Sequence, residues 1–188
     1  MLIFDTRVDM IKQLVSQGSI VAEVGVFRGD FMKQLVSIIN PTTFFAIDHF
    51  SGTVGSGDQD GNNFIYCNLD KEYLNLVTYF KSNTGIKFAK GYSSNVLSTF
   101  PDNYFDMIYI DADHSYAGCK KDLEISFNKI KQDGWIMGHD YDQNFSKSKT
   151  KYDFGVKQAV DELCAQRNQV IHAIANDGCI SYAIKISK

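Results

Sequence analysis

Residues 20–31 read IVAEVGVFRGDF: five residues of strand character, a turn holding Gly25 and Gly29, and the opening of a helix at Asp30. A buried apolar run that passes through glycine into a segment of 3.6-residue period is the strand–turn–helix unit of a parallel α/β sheet. The same alternation continues outward in both directions. Downstream, Asp30 to Ile39 place Phe31, Leu35, Ile38 and Ile39 on one helical face until Asn40 and Pro41 stop it, and Phe44 to Ile47 supply a second strand. Upstream, Met10, Ile11, Leu14 and Val15 repeat at helical spacing and end at Gly18.

Further strands are expected at Ile86–Ala89, at 104–111 (YFDMIYID) and at 135–138 (WIMG), with helices over Tyr66–Phe80, from Ser93 or Ser94 to Phe100, over Ser115–Ile130 and over Val156–Arg167. Two closing strands, Val170–Ile174 and Cys179–Ile186, flank the turn signal Asn176-Asp177-Gly178, which favours an antiparallel hairpin. The glycine-rich stretch from Phe50 to Asn63 reads as a mobile surface loop, placed where a lid would sit, and the polar segment 141–153 as a second loop over the same end. No repeat or linker interrupts the pattern, so one domain over residues 1–188 is expected.

Composition narrows the function classes. With 44% apolar residues, 22% charged residues and two prolines in 188, the chain has the makeup of an ordered domain with a full core. A net charge of -3 supplies no basic footprint for a phosphate backbone, Lys147, Lys149 and Lys151 being a local exception, so nucleic acid is not expected as a partner. Asp5, Arg7 and Asp9 break up the first residues, which argues against export or membrane insertion and for a cytoplasmic protein. Cys67, Cys119, Cys164 and Cys179 show no C-x-x-C spacing and read as reduced and structural.

In an open α/β sheet, ligands bind beyond the carboxyl ends of the strands. Polar residues collect there: Glu23-Val24-Gly25 after the first strand, Asp48-His49 after the second, Asp111-Ala112-Asp113-His114 after the fourth and Gly138-His139-Asp140 after the fifth. Three of the four histidines lie at such ends beside an aspartate, whereas His172 sits inside the apolar run VIHAI and reads as structural. Neighbouring strands lie about 4.8 Å apart, so Asp111 and Asp140 can converge on one ion or substrate group.

Asp48, at the end of the second strand, stands where an acid can accept both hydroxyls of an adenosine ribose. That serves NAD as well as S-adenosylmethionine. The second glycine of a dinucleotide fingerprint, needed for pyrophosphate to pack on the backbone, is Phe27 here, which argues against a pyrophosphate.

Taken in order, EVGVFRGDF, FFAIDHF, YFDMIYIDADHSYAGCKKDLE, GWIMGHDY and FGVKQAVDEL resemble a class I S-adenosylmethionine-dependent methyltransferase family that includes small stand-alone enzymes and is related to the macrocin-type sugar O-methyltransferases. The resemblance spans roughly residues 20–165, with IDADHSYAGCKKDLE and GHDY its most specific part. It implies a Rossmann-like α/β fold: a mostly parallel seven-stranded sheet, helices on both faces, and a C-terminal antiparallel hairpin.

By the same resemblance, Glu23, Gly25 and Gly29 surround the methionine part of S-adenosylmethionine, Asp48 takes the ribose, Tyr92 and Ser93 meet the adenine edge, and Asp111 closes the cofactor site. In the metal-dependent relatives, an acid at the position of Asp111 and a pair of acids at those of His139 and Asp140 hold magnesium, and the acid at the position of Asp113 acts as base. His139 departs from that pattern. Magnesium prefers an all-oxygen octahedron, so His139 either favours Mn2+ over Mg2+ or is no ligand.

The expected reaction is in-line methyl transfer to a hydroxyl of a sugar, sugar nucleotide or other small molecule, with Asp113 or His114 removing the proton. An NAD-dependent oxidoreductase and a non-catalytic nucleoside-binding module on the same fold are the alternatives, and a homo-oligomer is left open.

Overall fold

The computed structural model describes residues 1–56, 65–142 and 154–188. In chain order its strands are β1 (Leu2–Phe4), β2 (Ile20–Val24), β3 (Thr43–Asp48), β4 (Thr53–Ser56), β5 (Ile65–Asn68), β6 (Ile86–Lys90), β7 (Phe105–Ile110), β8 (Ile130–Gly138), β9 (Ile171–Asn176) and β10 (Ile180–Lys185). The helices are α1 (Arg7–Leu14), α2 (Asp30–Ile39), α3 (Leu69–Tyr79), α4 (Ser93–Ser98), α5 (Tyr116–Lys129) and α6 (Val156–Arg167).

Eight strands form one sheet in the order β1-β9-β10-β8-β7-β2-β3-β6. The pairs β2–β3, β2–β7, β3–β6, β7–β8 and β1–β9 are parallel, whereas β10 runs antiparallel to both β8 and β9. This is a Rossmann-like methyltransferase sheet closed by an antiparallel hairpin. The sequence expectation of seven strands omitted β1, whose three residues are too few to carry a period and which forms only by pairing with β9.

Strand residues alternate between two cores. Val21, Met107, Tyr109 and Met137 pack with Met10, Phe31, Met32, Leu35 and Leu76 from α1, α2 and α3. Ala22, Ile108, Ile110 and Ile136 pack with Leu97, Leu123, Phe127 and Val160 from α4, α5 and α6. Helices therefore cover both faces, and each such fully buried large side chain contributes about 1.5–3 kcal/mol. The central strands are apolar on both sides because neither face meets water.

Helix starts follow local chemistry. The Thr6 hydroxyl accepts from the Asp9 N–H at 3.0 Å, Asn68 Oδ1 from Lys71 N–H at 2.9 Å, and Ser115 Oγ from Gly118 N–H at 3.1 Å. Asn68 explains why the helix expected from Tyr66 begins three residues later, at Leu69. Residues 65–68 belong instead to β5, which pairs antiparallel with β4, Thr53 opposite Asn68. Part of the expected Phe50–Asn63 loop is thus a two-stranded ribbon, anchored where Leu69 N–H donates to Gly52 O and Gly52 N–H to Asp70 Oδ2, each at 2.9 Å. Residues 57–64, and residues 143–153 of the second expected loop, lie outside the described residues. Among the described residues, no helix is long and apolar enough to cross a membrane.

Candidate active site

The carboxyl ends of β2, β3, β7 and β8 are stitched side by side. Gly25 N–H donates to Ile47 O at 2.9 Å, Asp111 N–H to Val24 O at 2.7 Å and His139 N–H to Ile110 O at 3.3 Å. Every polar residue that follows one of these strands is thereby delivered to one edge.

Gly25 has a left-handed φ of +91°, and a Cβ there would lie 2.0 Å from the carbonyl oxygen of Asp111. What approaches this glycine is the neighbouring strand end of the chain itself. Gly29, φ +75°, caps α2, and a Cβ on it would strike the Leu76 side chain at 2.4 Å. Both glycines are therefore required by the turn's own packing. Phe27 also takes a left-handed φ, +52°, and so fills the turn with a side chain.

Asp48 stands at the end of β3, as expected, with its carboxylate turned into the glycine turn. Its Oδ2 accepts from the N–H groups of Val26 at 2.7 Å and Phe27 at 2.9 Å, and its Oδ1 from Phe50 N–H at 2.8 Å. The acid holds the loop's shape, and Oδ1 keeps acceptor capacity for a ligand hydroxyl.

Glu23 is 2% exposed, and its Oε2 has no hydrogen-bond partner. Burial, and then the charges of Asp111 and Asp48, push its carboxyl well above the usual range, Arg7 opposing them. A buried carboxylate oxygen without a donor, at the end of the first inner strand, fits the ammonium of a methionyl group. The donor set thus suits S-adenosylmethionine.

Tyr92 and Ser93 sit at the start of α4, next to β3's end. The Tyr92 ring is 69% exposed and lies 5.2 Å from the His49 ring, an open aromatic surface. Ser93 hydrogen-bonds to Asp122 of α5, whose carboxyl burial pushes up to about 6.

Beyond β7 and β8 the two carboxylates expected to converge do so on a histidine. His114 Nε2 lies 3.1 Å from Asp111 Oδ1 and 3.0 Å from Asp140 Oδ2. Burial works against its charge, but the hydrogen bonds to Asp111 and Asp140 outweigh it and push His114 up to about 10. Asp140 is 8% exposed with a left-handed φ of +59°; such a backbone at a non-glycine strand end marks a place where geometry is imposed. Asp113 faces elsewhere: its Oδ1 accepts from Ser115 N–H at 2.9 Å, and its side chain packs where a Cβ on Gly118 would be.

The metal set expected from sequence is divided. Asp111, His114 and Asp140 bring ligand atoms within 4.8 Å of one another, and so, separately, do His139, Asp140 and Cys179. Asp140 belongs to both groups, while Asp111 and His139 share neither. The first group, two carboxylates and an imidazole, fits a divalent transition ion.

Arg7 escaped the sequence reading. Its guanidinium lies 4.2 Å over the Phe31 ring, 3.8 Å from Asp111 Oδ2 and 3.7 Å from Asp177 Oδ2, while its backbone N–H donates to Asp177 Oδ2 at 3.2 Å. It places a positive charge among Glu23, Asp111 and Asp177. Its only local signal is a lone arginine at a helix start, where cations are disfavoured.

A family model described as a methyltransferase domain matches residues 22–141. No curated protein matches the chain. Among solved structures, the O-methyltransferase NovP is 19% identical, covering 97% of this chain and 80% of its own, with a TM-score of 0.65. The N-methyltransferase NodS from Bradyrhizobium japonicum WM9 is 11% identical over 97% of this chain and 95% of its own, TM-score 0.68. Fibrillarin from Aeropyrum pernix, with natively bound S-adenosyl-L-methionine, is 11% identical over 94% of this chain and 72% of its own, TM-score 0.63. The family match runs from within β2 to just past Asp140, so this chain belongs to the methyltransferase-domain family and is an S-adenosylmethionine-dependent methyltransferase.

Proposed function

We propose that this methyltransferase acts in the cytoplasm as a single domain on a hydroxyl of a small molecule, with a sugar or sugar nucleotide as the first candidate. The observation that carries this reading is the convergence of Asp111 and Asp140 on His114, 3.1 and 3.0 Å away, beside the cofactor end of the sheet. Methylating oxygen requires a proton acceptor for the hydroxyl, and His114 is one in its neutral form, whose fraction grows as pH rises toward about 10. A net charge of -3 supports a small-molecule acceptor over a nucleic acid. The likeness to macrocin-type sugar enzymes supports the sugar.

S-adenosylmethionine supplies an electrophilic methyl on a sulfonium. Glu23 would hold its ammonium, Asp48 Oδ1 a ribose hydroxyl, and Tyr92 with Ser93 the adenine edge. His114 in its neutral form takes the hydroxyl proton on Nε2, and Asp111 and Asp140 then stabilise the imidazolium. Asp113, engaged at the start of α5, shapes the turn that presents His114, which leaves His114 the better of the two base candidates.

A divalent ion, if bound, would lie on Asp111 and Asp140 and take the Nε2 lone pair of His114, so it would lower the pKa of a coordinated hydroxyl in place of His114 acting as base. His139, grouped with Asp140 and Cys179, is not part of that set. EDTA should suppress turnover and Mg2+ or Mn2+ restore it; full activity in EDTA would leave His114 as an unaided base. Formation of S-adenosylhomocysteine, followed across a panel of sugar nucleotides, free sugars, phenols and short RNAs, tests the acceptor class. Turnover confined to RNA would refute the small-molecule reading, and cofactor binding without turnover on any acceptor would favour a non-catalytic module.

A further inference from the structure

Cys179 follows the hairpin turn between β9 and β10, and β10 pairs with β8 so that Tyr182 lies opposite Gly138. Tyr141 N–H donates to Ile180 O at 2.8 Å, which holds the residues after β8 against the residue next to Cys179. The ligand atoms of His139, Asp140 and Cys179 consequently lie within 4.8 Å of one another, with His139 Nδ1 3.4 Å from Asp140 Oδ1. Around a tetrahedral ion with bonds of about 2.0–2.3 Å, neighbouring ligand atoms stand about 3.3–3.8 Å apart. The described thiol, imidazole and carboxylate need only small side-chain movements to reach that spacing.

We infer that His139, Asp140 and Cys179 form a binding site for a thiophilic divalent ion of the zinc class, separate from the Asp111–His114 side of Asp140. Sulfur and nitrogen donors beside a single carboxylate select Zn2+, or Co2+ in its place, over Mg2+. The site is reachable, since Cys179 and His139 are both only half-buried. Cys67 and Cys119 are buried, and neither they nor Cys164 stand in such a group among the described residues. On binding, the Cys179 thiol releases its proton to solvent and the thiolate forms the bond to the ion; no electrons are exchanged.

This site positions rather than reacts. Asp140 turns Oδ1 toward His139 and Oδ2 toward His114, so an ion on the Oδ1 side fixes the carboxylate that orients His114 and ties the β9–β10 hairpin to the end of β8. The inference does not depend on the methyl acceptor.

The test is Co2+ titration of the full chain after chelator stripping, in reductant, with absorption as the readout. One equivalent should produce a thiolate-to-cobalt charge-transfer band in the near ultraviolet that Zn2+ bleaches. In Cys179→Ser the band should vanish and Co2+ affinity fall at least about tenfold, the lower bound for loss of a mere supporting contact. His139→Ala should also bind more weakly, while His114→Ala should keep the band. No binding, binding without a thiolate band, or a band that survives in Cys179→Ser overturns the assignment. X-ray absorption on Zn2+-loaded wild type guards against a variant that fails to fold: one sulfur scatterer is expected, and none refutes the site.

Discussion

Replacing Glu23 by glutamine should move stability and cofactor affinity in opposite directions. In the folded chain Glu23 is buried against Asp111 and Asp48 and binds its proton far more tightly than in the unfolded chain. The sign follows from linkage: a carboxyl whose folded pKa is raised contributes stability that is fully present below its unfolded pKa and is lost as pH rises toward the folded one. Over the interval in which folded Glu23 is protonated and unfolded Glu23 is ionised, the wild type loses about 1.4 kcal/mol per pH unit relative to a neutral isostere. At roughly 2–4 °C in Tm per kcal/mol for a chain of this size, the gap should widen by roughly 3–6 °C per pH unit within that interval. Glu23→Gln should therefore melt progressively higher than wild type as pH rises. Its affinity for S-adenosylmethionine should fall about ten- to hundredfold, the loss of one charge-assisted bond of about 1.5–3 kcal/mol. Melts across pH and isothermal titration calorimetry measure the two halves. A Tm difference that stays flat with pH would show that Glu23 does not carry the proton, and an unchanged Kd would remove it from the cofactor site.

Asp48→Ala should weaken cofactor binding at least about tenfold and, because three backbone N–H groups lose their acceptor, also cost about 3 kcal/mol in chemical denaturation; a loss of affinity with unchanged stability would contradict the geometry described. Turnover should climb between about pH 7 and about pH 10 as His114 is freed of its proton, and Asp140→Asn should shift that limb to lower pH while lowering its plateau; a flat pH–rate profile would exclude His114 as the base. Gly25→Ala should destabilise the fold by at least about 2 kcal/mol, read from the denaturation midpoint, since its Cβ would collide with backbone at a left-handed φ.

The inner half of the fold was legible because its strands are continuous apolar runs bounded by strong punctuation. Ile20–Val24, the helix Asp30–Ile39, the helix Val156–Arg167 and the Asn176-Asp177-Gly178 hairpin stand where local chemistry puts them. β1 and the β4–β5 ribbon were not legible, since three residues carry no period and the glycines around β4 mask its pairing. In the site, Asp111 and Asp140 could be foreseen to converge, because adjacent parallel strands leave no alternative. Which histidine they would share could not be read: His139 adjoins Asp140 and His114 follows Asp111 by three residues, yet the turn into α5 aims the more distant one between the acids. The demand for Gly25 was visible, but its cause, the carbonyl of Asp111, lies on another strand. Arg7 and Cys179 were invisible as site residues for the same reason, since their neighbours are supplied by tertiary pairing.

The sheet order β1-β9-β10-β8 has a consequence for how the protein is made. β10, the last strand in the sequence, is the piece that joins β9 and β1 to the rest. Arg7 is pinned by Asp177 170 residues away, besides lying over Phe31 and 3.8 Å from Asp111 Oδ2. A ribosome delivering this chain from its amino end thus completes β2, β3 and β7 well before Asp177 can meet Arg7. Arg7 lacks its Asp177 partner until the hairpin emerges and inserts. The charge balance around Arg7 is accordingly assembled late, and a chain stalled before residue 177 would carry Glu23 and Asp111 without Asp177.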